Sequence, residues 1–182
     1  MKRFLLLIIF ALGTLTCSAQ KAKSFFYGGI ELHNVKGWSI VPSKDDQRTV
    51  IQCVNLPLQM TITKQGALKN KSLDSYLMQQ VEAFLEASMA TAGKAPKVKE
   101  TGPVMDGFVN NIPAKYIDIT YTKKMRQRIY AMNMYNYTIT ILCTGEGSVI
   151  PSSNNDAFIE KNFGKILSKF AFTPESGTHR LF

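Results

Sequence analysis

The residues best suited to chemistry in this chain are the four cations of the segment KKMRQR, which are Lys123, Lys124, Arg126 and Arg128. Arginine presents a planar fork of donors that suits phosphate and carboxylate groups, so the cluster predicts a patch that binds an anion or an acidic partner. A solvated turn, whose cations protect the edge of a sheet from aggregation, explains the same residues and is the commoner situation. Both interpretations place the cluster at a hairpin turn.

Catalytic and metal-binding chemistry have little support in the sequence. The chain has two histidines, His33 and His179, which are far apart. This separation disfavours a histidine-rich metal site and a serine–histidine triad. The sequence contains no glycine-rich phosphate loop and no CxxC pair. Glu82 and Glu86 share one side of a predicted helix, where a solvated face is the commoner situation. We therefore expect no catalytic residue, cofactor or metal.

Two cysteines, Cys53 and Cys143, lie in strand-like runs and share an alternating face with aliphatic residues. A disulfide between them is allowed in an oxidising compartment, provided that their strands are neighbours. Two separate buried thiols, packed as small hydrophobic groups, explain the pattern equally well. A catalytic thiol is disfavoured, because such a thiol needs an electropositive and partly exposed setting.

The first 19 residues, MKRFLLLIIFALGTLTCSA, have the form of a secretory signal: a positive start, an apolar run and a small, polar end. The mature chain has no other run that approaches the ~20 apolar residues of a membrane span. Cleavage after Ala19, which leaves Gln20 first, is favoured by the small residues at Cys17 and Ala19. Lipid attachment at Cys17 is the disfavoured alternative, since the preceding residues match a lipoprotein signal poorly. We expect an exported protein, periplasmic or secreted.

The net charge of the chain limits the choice of partner. Loss of Lys2 and Arg3 with the signal lowers the formal net charge from +9 to +7. A basic exported chain can meet an anionic surface or an acidic partner, whereas nucleic acid is a poor candidate. We assign residues 20–24 to a flexible lead-in, 25–172 to one domain and 173–182 to a loose tail.

The order of the predicted elements is strands, helix, strands, helix. Ser72 is placed to cap a first helix, whose apolar residues recur every three or four positions. A second helix is expected to start near Asn155. Between the helices we expect a turn at Asp106-Gly107. The long run that follows is either two strands joined near residues 133–136 or one long strand with a bulge. Strands that do not alternate regularly with helices predict an α+β fold, in which helices cover an antiparallel sheet.

The order of these motifs resembles the PsbP-like group. The matching features are Gly37-Trp38 followed by Pro42, then a long amphipathic helix, then Pro113-Ala114-Lys115 before a long strand, with a terminal helix ending in Phe170-Ala171-Phe172. This group includes the extrinsic photosystem II subunit, the Mog-type Ran-binding proteins and bacterial envelope proteins of the DcrB type. The resemblance implies an antiparallel α/β/α sandwich over most of residues 25–172. It carries no functional residue over to a position here.

Two functions follow as hypotheses. The first is a non-catalytic bacterial envelope protein that binds a protein partner or stabilises an assembly, and it predicts an exposed apolar or basic patch. The second is a small-ligand carrier or an enzyme with a pocket between sheet and helix, which would use acids such as Asp106 or Asp118. The absence of a nucleophile–base pair favours the first.

Overall fold

The computed structural model describes residues 25–27, 30–32, 36–41, 47–92, 97–121, 125–134, 136–145 and 154–172. The strands in these residues are β1 (Phe25–Tyr27), β2 (Ile30–Leu32), β3 (Trp38–Val41), β4 (Arg48–Cys53), β5 (Leu58–Gly66), β6 (Val98–Thr101), β7 (Met105–Val109), β8 (Ile112–Tyr121), β9 (Arg126–Met134), β10 (Tyr137–Gly145) and β11 (Phe170–Phe172). Eight of them form one antiparallel sheet in the order β3-β4-β5-β10-β9-β8-β6, and β7 lies beside β8 on the same side as β6. A small second sheet has the order β1-β2-β11.

Helices lie on both faces of the large sheet. The long helix α1 (Leu73–Ala92) contacts β8 and β9. The other face is covered by a terminal helical segment, which consists of α2 (Asn155–Ile159), a π-helical turn (Glu160–Gly164) and α3 (Lys165–Leu167). This arrangement confirms the predicted α+β fold, with helices on both sides of an antiparallel sheet.

Side-chain caps fix where the two helical regions begin. The backbone N–H of Ser75 donates to the Ser72 hydroxyl over 3.2 Å, so Ser72 caps α1 as its position in the sequence predicts. The N–H of Ala157 donates to Asn154 Oδ1 over 2.8 Å, so the cap of α2 lies one residue before the predicted start of that helix.

Alternation along β9 divides the buried residues into two cores. Ile129 and Ala131 pack with the buried side of α1. Tyr130 and Met132 point the other way and join the core beneath the terminal helical segment. Since successive strand residues face opposite sides, nearly every position of this strand is buried. Burial on both faces explains the unbroken apolar run from Ile129 to Met132 in this strand.

Two local predictions need correction. The predicted turn at Asp106-Gly107 is wrong, because both residues lie within β7. The chain reverses instead at Asn110 and Asn111, whose φ values of 44° and 67° are tolerated by asparagine better than by most residues. Phe170, which was expected at the end of the terminal helix, lies in β11. Of the two forms expected for the long run, the pair of strands is confirmed, as β9 and β10.

Candidate functional site

Two residues of the predicted cation cluster, Arg126 and Arg128, are not fully exposed to solvent in the structure. Arg128 is only 5% exposed, so the expectation of a solvent-facing patch is wrong for this residue. Its place in β9 turns it toward the terminal helical segment. Arg126 is half-buried and donates from Nη1 to Asn155 Oδ1 over 2.7 Å. Lys123 and Lys124 lie outside the described residues.

Arg128 joins three elements through its guanidinium group. Nε and Nη2 donate to the two carboxylate oxygens of Asp118 on β8, over 2.7 and 2.8 Å. Nη2 also donates to Asp156 of α2 over 2.6 Å. The guanidinium carbon lies 4.0 Å from the centroid of the Tyr116 ring. We call these residues, together with Tyr130, the Arg128 clamp.

Burial and hydrogen bonding act in opposite directions on the charge of this clamp. Burial lowers the pKa of Arg128, but the hydrogen bonds to Asp118, Tyr130 and Asp156 outweigh it and raise the pKa above its ordinary value. Arg128 therefore stays charged, with the Asp118 carboxylate occupied on both oxygens. The clamp holds α2 against the sheet and is not arranged to receive an anion.

The two acids considered for a ligand pocket do not converge. Asp118 lies opposite Arg128 in the register, on the face covered by the terminal helical segment. Asp106 lies opposite Lys115, on the face covered by α1. Lys115 Nζ lies 2.9 Å from Asp106 Oδ1 and 3.4 Å from Asp74 Oδ1 on α1. The hydrogen bond to Asp106 is the main cause of a raised Lys115 pKa. Each acid thus has a cation of its own.

The cysteines are free thiols in the structure. Strand β5 lies between their strands, with Met60 paired to Cys143 on one side and to Ile51 on the other. Two strand spacings separate the backbones by roughly 10 Å, whereas a disulfide joins Cα atoms that are less than about 7 Å apart. The interpretation as two separate thiols fits this register. Burial raises the pKa of the Cys143 thiol.

One shallow pocket lies beside the end of β4, with a volume of about 80 Å³. It is lined by Gln52, Cys53, Leu56, Pro57, Leu58, Gln59 and Thr144, none of which is charged. Gln52 donates to Gln59 over 3.4 Å, and Gln59 donates to Thr61 over 3.2 Å, so these amides bond within the sheet. The pocket offers no acid, base or cation to a ligand.

Other residues considered for chemistry are either solvated or not described. Glu82 and Glu86 are exposed on α1. His33, His179 and Cys17 lie outside the described residues. Among the residues that are described, no three His, Cys, Asp or Glu side chains are grouped as a metal site. The described helices include none with the length and apolar character needed to cross a membrane.

The most exposed large apolar side chain of the described residues is Phe108 on β7, at 69%. Met105 on the same strand is 48% exposed. Phe108 lies opposite Pro113 and Met105 opposite Tyr116, so the two point to opposite faces of the sheet. Within the described residues, no strand pairs with the outer edge of β7. Strand β7 is not predicted from the sequence, because Asp106-Gly107 is assigned to a turn there. The Asn110-Asn111 pair is the sequence feature that marks the true turn after this strand.

The Tyr116 ring packs closely against β7 on one face of the sheet. A Cβ atom on Gly107 would lie 2.8 Å from Cδ1 of the Tyr116 ring, so glycine is needed where the ring crosses the strand. The opposite side is fixed by the ion pairs of Lys115 with Asp106 and Asp74. The edge strand is thus a supported element, with an apolar side chain on each face.

Solved structures share this fold at low sequence identity. No protein-family model matches the sequence, and a search of curated proteins gives no significant match. Cyanobacterial PsbP (CyanoP) from Synechocystis sp. PCC 6803 is similar over 89% of this chain and 97% of its own, with a TM-score of 0.52 and 10% identity. A protein from Bacteroides thetaiotaomicron VPI-5482 is similar over 85% of this chain, with a TM-score of 0.50 and 9% identity. The match spans 49% of that protein.

A third structure, LpqN of Mycobacterium tuberculosis, is similar over 85% of this chain and 91% of its own, with a TM-score of 0.47 and 10% identity. The fold of this chain is the PsbP-like α+β fold.

Proposed function

We propose that this protein is a non-catalytic module of the bacterial cell envelope, which binds an extended segment of a partner protein along the outer edge of β7. The observation that carries the proposal is the exposure of Phe108 and Met105 on opposite faces of this edge strand. The secretory form of residues 1–19 supports an exported location, with cleavage after Ala19 and a free mature chain.

An edge strand offers two kinds of contact to an extended peptide. Its outward main-chain N–H and C=O groups can pair with a new strand, which supplies affinity. Its alternating side chains contact the alternating side chains of the new strand, which supplies specificity. Phe108 and Met105 give the edge one apolar contact on each face. Natural sheets usually protect such an edge with charges or proline. The one charged residue of β7, Asp106, is paired with Lys115, so the exposed Phe108 and Met105 indicate an interface.

The alternative function, a small-ligand carrier or an enzyme, has less support. Asp118 is paired with Arg128, Asp106 is paired with Lys115, and the two acids lie on opposite faces of the sheet. The shallow pocket beside Cys53 has an uncharged lining. A carrier or enzyme of this kind would need polar groups that converge in one cavity.

Site-specific photo-cross-linking in the native cell envelope tests the proposal. A photoreactive amino acid replaces Phe108 or Met105 in the exported protein, and Leu56, which is similarly exposed on a distant turn, is the matched control position. We expect one partner to be captured at both β7 positions and not at position 56. Capture of the same proteins at all three positions, or of none at β7, would contradict the proposal.

A charged substitution then tests whether the partner binds at the edge of β7 and not elsewhere on the protein. Phe108→Glu places a charge on the exposed edge without filling a buried space, so the fold should remain. The variant should lose the cross-link formed from position 105, whereas Leu56→Glu should keep it. Circular dichroism and thermal unfolding of both variants confirm that each is folded.

A further inference from the structure

We infer that the terminal helical segment carries a second binding surface, independent of β7, which lies against a membrane containing anionic lipids. Lys161 and Lys165 lie in this segment, and Lys169 lies in the turn that follows α3. We call these three residues the lysine row. All three are exposed. The row is distinct from the KKMRQR cluster, of which Arg128 is buried and Arg126 is half-buried.

The row lies on the outer side of an amphipathic segment. Phe158, Phe163 and Ile166 are at most 1% exposed and point into the core. Residues four apart on a straight α-helix drift around the axis by about 40° per step. The π-helical turn at Glu160–Gly164 is wider than an α-helical turn, so it offsets part of this drift between the first two lysines. The backbone N–H groups of Ser168 and Lys169 donate to the carbonyls of Gly164 and Ile166 over 2.9 and 3.0 Å, so the turn that carries Lys169 continues directly from the end of α3.

The acids of this segment do not neutralise the row. Asp156 is hydrogen-bonded to the buried Arg128. The Glu160 carboxylate lies along the helix, about 3.0 Å from where a Cβ on Gly164 would be. In the described part of the structure, no ion pair involves Lys161, Lys165 or Lys169. Three positive charges face solvent over less than three helical turns.

The chemistry of the row fits a lipid surface better than a specific anion site. All three cations are lysines, whose flexible point charges suit a diffuse field, whereas the planar fork of arginine suits one defined phosphate or carboxylate. The row lies on the exposed side of the segment, away from its buried apolar residues, so it faces outward, as contact with a surface of headgroups requires. The net charge of +7 that remains after loss of Lys2 and Arg3 with the signal adds a long-range attraction to an anionic membrane.

The basic residues near an anionic bilayer contribute about 1 kcal/mol each, which is roughly a fivefold change in partition for each lysine. Co-sedimentation of the purified protein with phosphatidylcholine vesicles, with and without phosphatidylglycerol, measures this partition. The triple variant K161Q/K165Q/K169Q should lose about a hundredfold in partition onto the anionic vesicles at low salt. High salt should weaken the binding of the unaltered protein, because surface charges are screened.

The matched control removes the same charge elsewhere. Lys69, Lys97 and Lys99 are also exposed, and K69Q/K97Q/K99Q should keep most of the binding. Equal losses in the two triple variants would overturn the proposal, since total charge and not the row would then matter. Failure of the unaltered protein to bind anionic vesicles, or binding to dextran sulfate without binding to vesicles, would also overturn it. Thermal unfolding of each variant shows whether the fold is retained.

Discussion

Arg128 and Asp118 face each other across β9 and β8 and form a two-point hydrogen-bonded pair, with donor–acceptor distances of 2.7 and 2.8 Å. The Arg128 side chain is 6% exposed and that of Asp118 is 25% exposed. The same guanidinium reaches Asp156, so one cation ties two strands to α2. Arg128, which the sequence assigns to a binding cluster, and Asp118, which it assigns to a possible ligand pocket, thus form an internal connection of the fold.

Asp118→Asn should destabilise the protein by about 3 kcal/mol, because removal of one partner leaves a buried charge poorly compensated. Asp156→Asn is the matched control, since its side chain is 76% exposed and an exposed ion pair contributes about 1 kcal/mol or less. Urea unfolding measures the difference between the two variants. Equal losses of stability would show that Asp118 has no special role in the clamp.

Tyr130 gives the protein a pH dependence in the alkaline range. Burial raises its pKa to about 12, although the hydrogen bond from Arg128 acts in the opposite direction. The phenol of an unfolded chain titrates near pH ~10, so the unfolded state loses its proton first as the pH rises. The stabilisation from Tyr130 is therefore fully present below pH ~10 and is lost as the pH rises toward ~12.

Tyr130→Phe tests this pH dependence. Between pH ~10 and ~12 one such group changes the free energy of unfolding by about 1.4 kcal/mol per pH unit. The variant should show a slope shallower by that amount. The Cys143 thiol, whose pKa burial also raises, is present in both proteins, and its charge is one cause of the raised pKa of Tyr130. Parallel slopes for the two proteins across this range would refute the assignment, and unfolding at pH 7 measures the cost of the substitution itself.

Gly145 sits where the terminal helical segment approaches β10 closely. A Cβ atom there would lie 2.5 Å from Cζ of Phe158 and 2.9 Å from Cδ2 of Leu58. Gly145→Ala should therefore destabilise the protein by about 1–3 kcal/mol, because both neighbours lie in a packed core. Gly66→Ala is the control, since no atom lies within 4 Å of a Cβ at that position. Guanidinium unfolding compares the free energies of unfolding of the two variants. Equal values would mean that the Phe158 side chain moves aside without a loss of stability.

The sequence predicts the elements of this protein better than it predicts how they meet. Helix α1 is readable because its cap at Ser72 and its apolar period are local features. Most strands are readable from alternation. The exceptions are β7, where Asp106-Gly107 has the composition of a turn, and β11, whose Phe170 continues the apolar period of the terminal helix. Whether Arg128 meets solvent or Asp118 depends on the register of two strands, and the exposure of Phe108 depends on which strand ends the sheet. Both are set by contacts between residues that are distant in the chain.

The two cysteines give a chemical test of the register between β4 and β10. Cys53 is half-buried beside the shallow pocket, whereas Cys143 is fully buried. A thiol reagent should label Cys53 at least tenfold faster than Cys143 in the native protein, since a buried thiol reacts through opening of the fold. Both should be labelled after unfolding without a reductant, and Cys53→Ser should abolish the fast phase.

Intact mass spectrometry of the protein purified from its own compartment shows whether Cys53 and Cys143 are free thiols or are joined by a disulfide. Two labels on the unfolded and unreduced chain would agree with free thiols on strands separated by β5. A mass lower by two hydrogens, with no label taken up before reduction, would show that Cys53 and Cys143 are joined. Strands β4 and β10 would then have to be neighbours, and the order β4-β5-β10 in the sheet would be wrong.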